Sequence, residues 1–266
     1  MESLDYLERI TTAVERIAAV NNRSSFNLLI SGNTTNIITQ YIQPIQLEIG
    51  KQYEMALVSL DTYYSFPNVD ATNNNFRYSP DNGTTWKDIL IPTGAYELEA
   101  INNYVQRTMK DNGDYDSVND EFYITILPDN NTLRSIVNIT NPTYQVDFNP
   151  PNSIRTLLGF DAGIILQGYN VSQNIVNILS ITSIRITSNI ISGSYSNGDV
   201  DNIIYSFFPD VGPGFKIIQT PSTPIYLPIT SNQISTLITT MTDQTGKLID
   251  LRGEDLNITF HVREKV

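Results

Sequence analysis

The residue types that ordinarily do chemistry are few and far apart in this sequence. It has one histidine, His261, five residues from the last one, and a hydrolase triad or a histidine metal site would have to be built around it. His261 falls in an alternating run, LNITFHVRE, that puts Leu256, Ile258, Phe260 and Val262 on one face and Asn257, Thr259, His261 and Arg263 on the other. A lone histidine on the polar face of a strand is an ordinary surface residue. There are no cysteines, which removes disulfides, cysteine zinc sites and thiol nucleophiles together. The loop DNGDYDS offers Asp111, Asp114 and Asp116, and calcium favours clustered carboxylates. Gly113 comes too early for the EF-hand order and no Glu stands at the twelfth position, so the loop reads as solvated; NGDVDN, Asn197 to Asn202, reads the same way. GPG, Gly212 to Gly214, lacks the phosphate-loop pattern and reads as a tight turn. Trp86 could stack on a sugar, but a core or interface anchor is the commoner role of a single tryptophan.

The elements that would carry these residues are mostly strands. FNLLIS is a short apolar run, and PIQLEI alternates with Ile45, Leu47 and Ile49 turned inward. YEMALVSLDTYYSF, Tyr53 to Phe66, is long, apolar and aromatic, as a strand buried on both faces or bridging a sheet centre would be. FRYS and TTWKDILIP flank a turn at Pro80, Asp81, Asn82 and Gly83. GAYELEAINNYVQRTMK places Leu98, Ile101, Val105 and Met109 at helical spacing, and FYITILPDNNTLRSIVNIT is a hairpin turning at Asp129, Asn130 and Asn131. PNSIRTLLGF is a short helix capped by Asn152 or Ser153 and ended by Gly159. The last hundred residues read as β again, from the isoleucine-rich 174–191 through IIYSFF, GFKIIQT, IYLPI and ISTLITTMT. Many short strands between Gly, Pro and Asn turns, with one inserted helix, predict an all-β sandwich or jelly roll.

The first twenty residues differ. Leu4, Leu7, Ile10, Val14 and Ile17 form an apolar stripe on an amphipathic helix of roughly 28 Å at the usual rise, followed by a polar hinge from Asn21 to Ser25. Such a helix packs on its own domain or docks on a partner, and the spacing alone leaves both open. The predicted organisation is an N-terminal arm, 1–25, and a single domain with insertions, 26–266.

Composition narrows the function. Of 266 residues 40% are hydrophobic, enough for a packed core, and only 17% are charged, which with abundant Asn, Ser, Thr and Tyr suits broad subunit contacts. A net charge of −12 with no basic run opposes nucleic-acid binding by counterion release and adhesion to anionic lipid. No run approaches a membrane span, and the N-terminus has no apolar signal-peptide core. The seven Asn-x-Ser/Thr sequons therefore read as chance in an Asn- and Thr-rich chain. Two classes remain, a structural subunit and a carbohydrate-binding sandwich.

Several whole stretches carry a resemblance: YEMALVSLDTYYSFPNV, ILIPTGAYELEAINNYV, SIRTLLGFD, FFPDVGPGFKIIQTPSTPIYLPI and TDQTGKLIDLRGEDLNITFHVRE, in that order. From about Tyr53 onward the chain resembles the minor capsid (penton) proteins of Polinton (Maverick) elements and adintoviruses. The resemblance implies a jelly-roll fold, five copies in a ring at each fivefold vertex of an icosahedral shell, and neighbours that are trimers of a double jelly-roll major capsid protein. It implies a structural role with no enzymatic reaction and no cofactor, in a virion protein made in the host cytoplasm or nucleus. It makes the apolar stripe of the arm a candidate contact with the inner shell or the adjoining major capsid protein. A trimeric spike or fibre head would share the β content but not the oligomer number.

Overall fold

The structure, a computed structural model, describes residues 25–178 and 181–265; the helix expected over the first twenty residues lies outside them. Along the chain, β1 (Ser25–Gly32), β2 (Asn36–Gln46) and β3 (Tyr53–Tyr63) come first. Then follow β4 (Asn75–Ser79), β5 (Lys87–Leu90), helix α1 (Leu98–Asp111), β6 (Ile124–Asp129), β7 (Arg134–Ile139), β8 (Gln145–Asp147), helix α2 (Arg155–Leu158), β9 (Ile164–Ile165) and β10 (Gly168–Val171). The chain finishes with β11 (Ile184–Ser188), β12 (Ser194–Ser196), β13 (Asp199–Asp201), β14 (Ile203–Phe207), β15 (Lys216–Gln219), β16 (Leu227–Pro228), β17 (Gln233–Thr242) and β18 (Leu256–Glu264). These elements form two compact units: the described residues up to Tyr64 with those from Ser183, and Ser65–Thr182.

The first unit is a jelly roll. One antiparallel sheet runs β1-β18-β3-β15, with β16 also pairing β3, and the other runs β14-β11-β17-β2. Set aside the short β12, β13 and β16, and number the eight remaining strands of this unit in chain order. One sheet then holds the first, eighth, third and sixth, and the other the fifth, fourth, seventh and second, which is the double Greek key of a jelly roll. Alternation makes this possible. Leu28, Ile30, Ile258, Phe260, Val262, Met55, Leu57 and Leu60 are buried from one sheet, and Ile37, Leu237, Met241, Ile184, Ile186 and Phe207 from the other. β3 crosses its sheet between β18 and β15 and takes a bulge at Val58, where the register against β18 shifts.

Chain direction divides the loops of this unit between two ends. The connections 47–52, 189–202 and 220–232 share one end, tied by Leu47 N–H to Asn232 O (2.9 Å) and Thr230 N–H to Ile190 O (2.9 Å). The loops 33–35, 208–215 and 243–255 share the other, where Thr35 Oγ1 donates to Ile249 O at 2.7 Å and Gly214 N–H to Tyr64 O at 2.8 Å. The second unit is inserted between β3 and β11.

That second unit has a β5-β4-β8-β9 sheet, a β10-β7-β6 sheet and α1. Leu98, Ile101, Val105 and Met109 of α1 are buried in one core with Phe76, Tyr78, Ile126, Val137, Phe148 and Phe160. α2 ends at Gly159, whose φ of 80° needs a glycine and whose absent Cβ would lie 2.3 Å from Asn174 O. Its N-cap is Ile154, without a side-chain cap, rather than Asn152 or Ser153; Ser153 Oγ accepts from Arg155 N–H at 3.3 Å.

Two other expectations differ. Ile49 is 91% exposed, because β2 ends at Gln46 and the chain turns at Gly50, φ 89°. Of the described residues in the isoleucine-rich 174–191, only Ile184–Ser188 form a strand. Upstream, the N–H groups of Asn174, Val176 and Asn177 donate to Gly159, Leu133 and Leu157 carbonyls, which satisfies them without a ladder. No helix among the described residues is long and apolar enough to cross a membrane.

Candidate assembly surfaces

The outer face of the β1-β18-β3-β15 sheet is built by the residues that alternate with the core. Its rows are Leu29–Thr259–Ser59 and Ser31–Asn257–Asp61–Ile218, with Asn27–His261–Ala56 beside them. Small uncharged polar groups fill the middle, and Leu29 and Ile218 lie on the two edge strands, 74% and 64% exposed. The carboxylates here are paired: Asp61 with Lys216 at 2.9 Å and Glu54 with Arg263 at 2.7 Å. The Lys216 ammonium holds the Asp61 carboxyl below its ordinary range. In a chain of net charge −12 this face is close to neutral, and such a surface is cheaper to bury against another protein than one of unpaired charges.

His261 sits in this face. The Tyr226 hydroxyl and His261 Nδ1 share a hydrogen bond of 2.9 Å, the two rings meet edge to face, and the Arg263 guanidinium lies 3.5 Å from the Tyr226 ring centroid. Ala56, paired with His261, is fully buried beside it. Burial, and then the Arg263 charge, push the imidazole below its ordinary value, so the ring is held neutral. A phenol and a guanidinium are not the carboxylate and nucleophile of a triad; they fix the ring as part of a surface.

The acidic loop distributes its carboxylates among separate partners. Asp114 accepts from the Tyr78 hydroxyl at 2.5 Å and from Lys87 Nζ at 2.6 Å, which ties the end of α1 to β4 and β5. Asp116 accepts from the Val118 and Asn119 N–H groups and so closes its own turn. Among the described residues no group of three or more His, Asp or Glu gathers as metal ligands would. Asn197 and Gly198, both at positive φ, turn the β12–β13 hairpin, which presents Tyr195 opposite Val200. Gly212–Gly214 makes the tight turn before β15. Trp86 is half-buried, with the Arg77 guanidinium 5.4 Å from its ring centroid.

No protein-family model matches this chain, and no curated protein matches it. Among solved structures it is similar to the mavirus penton protein. The TM-score is 0.47 at 9% identity, over 91% of this chain and 100% of that one.

A cleft of about 470 Å³ opens in the jelly-roll unit, walled by Leu47, Tyr53 and Pro228 to Asn232 and bordered by Lys51 and Lys265. Sequence reasoning missed it, because its walls come from three segments that only the strand order brings together. It missed the Tyr226–Arg263–Glu54 cluster for the same reason; only the outward position of Arg263 was readable. The stripe Leu4, Leu7, Ile10, Val14 and Ile17 lies outside the described residues.

Proposed function

We propose that this chain is a penton subunit, five copies of which close a ring at the fivefold vertices of an icosahedral capsid. The strand order of the first unit carries this reading, since it is the jelly-roll order that the resemblance to Polinton and adintovirus minor capsid proteins implies. The near-neutral outer face of the β1-β18-β3-β15 sheet supports it as a contact surface on an acidic chain. The protein's work is to present fixed surfaces rather than to turn over a substrate. Its partners are other copies of itself and the double jelly-roll trimers of the shell, its place is the virion vertex, and the stripe from Leu4 to Ile17 is its docking arm.

Electron microscopy of the purified chain, alone and with the shell trimers, tests the reading. Ring-shaped particles with fivefold averages are expected. Threefold averages would instead make the chain a spike or fibre head, and saturable binding of a monomer to a sugar array would make it a lectin.

A further inference from the structure

Both ends of the described chain emerge at the same end of the jelly-roll unit. Ser25 opens β1 opposite Arg263 of β18, and Lys265 N–H donates to Gln52 O at 2.7 Å. The cleft opens at that end, lined by Leu47, Tyr53, Pro228 and Ile229 and in similar measure by the polar Gln52, Thr230, Ser231 and Asn232, with Lys51 and Lys265 at its border. Lys51 is shared by Glu48 and Glu264, at 2.8 and 3.2 Å, whereas Lys265 makes no ion pair with any described residue. A lysine with no carboxylate partner among the described residues, beside a partly apolar cleft on a chain of net charge −12, matches an amphipathic segment that carries acid. The residues before Ser25 are of that kind. Leu4, Leu7, Ile10, Val14 and Ile17 make the stripe, and off it lie Glu2, Asp5, Glu8 and Glu15 together with Arg9 and Arg16.

We propose that this cleft receives the N-terminal stripe of a second copy of the chain. The inference rests on the ring reading. A closed ring joins two different patches on each subunit, and the stripe and the cleft are two such patches. A stripe seated in its own cleft would use up both and leave neither for a neighbour. The eight residues from Ile17 to Ser25 reach at most roughly 28 Å when extended, enough to leave one subunit for the next.

The chain has no cysteine, so an introduced pair reports without background. In the full chain, Leu7→Cys, Ile10→Cys and Val14→Cys are each combined with Asn232→Cys and oxidised, with the single variants as controls. A ladder of up to five linked chains on a non-reducing gel, lost on adding Lys265→Glu, is the expected result. An intrachain link, or no linkage beyond the single variants for all three pairs, overturns the inference. The mass of the same variants under reducing conditions separates the two claims: a five-chain species without the ladder sinks only the docking, and no five-chain species sinks the ring.

Discussion

Leu28 and Phe260 face each other across the first and last strands of the jelly-roll unit, and Leu57 of β3 lies on the other side of Phe260. All three are buried, so the final strand is an interior strand of its sheet and not an edge. Phe260→Ala is expected to cost about 3–5 kcal/mol, the usual range for emptying an aromatic site in a core. Loss of β18 would strip both neighbours of their ladder partner. Chemical denaturation checks the first point, and the yield of soluble chain truncated before Leu256 checks the second.

The Tyr78 hydroxyl is fixed between Asp114 and Asn112 in a buried setting. Burial first, and then the Asp114 carboxylate, raise its pKa well above the ordinary tyrosine value. Tyr144 is pushed up to about 12 by burial, with Asp114 adding to the effect. Both stay protonated in the folded chain after the unfolded chain has begun to ionise. Their contribution to stability is therefore complete below pH 10, about the unfolded tyrosine value, and falls as pH rises from there toward the folded value. Denaturation midpoints should drop between about pH 10 and 12, and drop less steeply in the Tyr144→Phe variant. An equal slope in that variant would contradict this.

Ser188 and Thr239 lie opposite each other on β11 and β17, both fully buried, and neither hydroxyl oxygen has a hydrogen-bond partner among the described residues. Thr239→Val removes such an oxygen while keeping the shape. It should raise stability by about 1 kcal/mol, because a buried unsatisfied hydroxyl costs about that much or more. A loss of stability on thermal unfolding would mean the oxygen is satisfied in solution.

His261 is the single histidine, so its ring protons can be followed by NMR without ambiguity. Burial and Arg263 place its midpoint below 6.5. Below pH 6.5 the unfolded chain takes up the proton first, so the contribution of His261 to stability is lost as pH falls through that value toward the folded midpoint. Arg263→Ala should move the NMR midpoint upward. A midpoint at or above 6.5 in the unaltered chain would contradict the packing against Tyr226.

Local signals were legible in the sequence, and long-range ones were not. The last strand declared itself because Leu256, Ile258, Phe260 and Val262 alternate, and α1 because Leu98, Ile101, Val105 and Met109 follow the helical repeat. Gly159 was readable as a helix stop because glycine alone tolerates that φ without strain. What pairs with what was not written locally. β1 lies beside β18, and Tyr226 reaches His261 across 35 residues, with no periodicity linking them. Ile49 misled because the alternation of PIQLEI continues past the point where Gly50 turns the chain. The neutral outer face escaped notice because its pairing of Asp61 with Lys216 and Glu54 with Arg263 exists only once the strands are in register.

The measurement closest to the central claim is the solution mass of the full chain by native mass spectrometry, alone and with shell trimers. Five chains of 29.9 kDa closing a cyclic ring give about 150 kDa, and that species is the expected result. A stable trimer of about 90 kDa, or a chain that stays at 29.9 kDa even in the presence of the shell trimers, would contradict it.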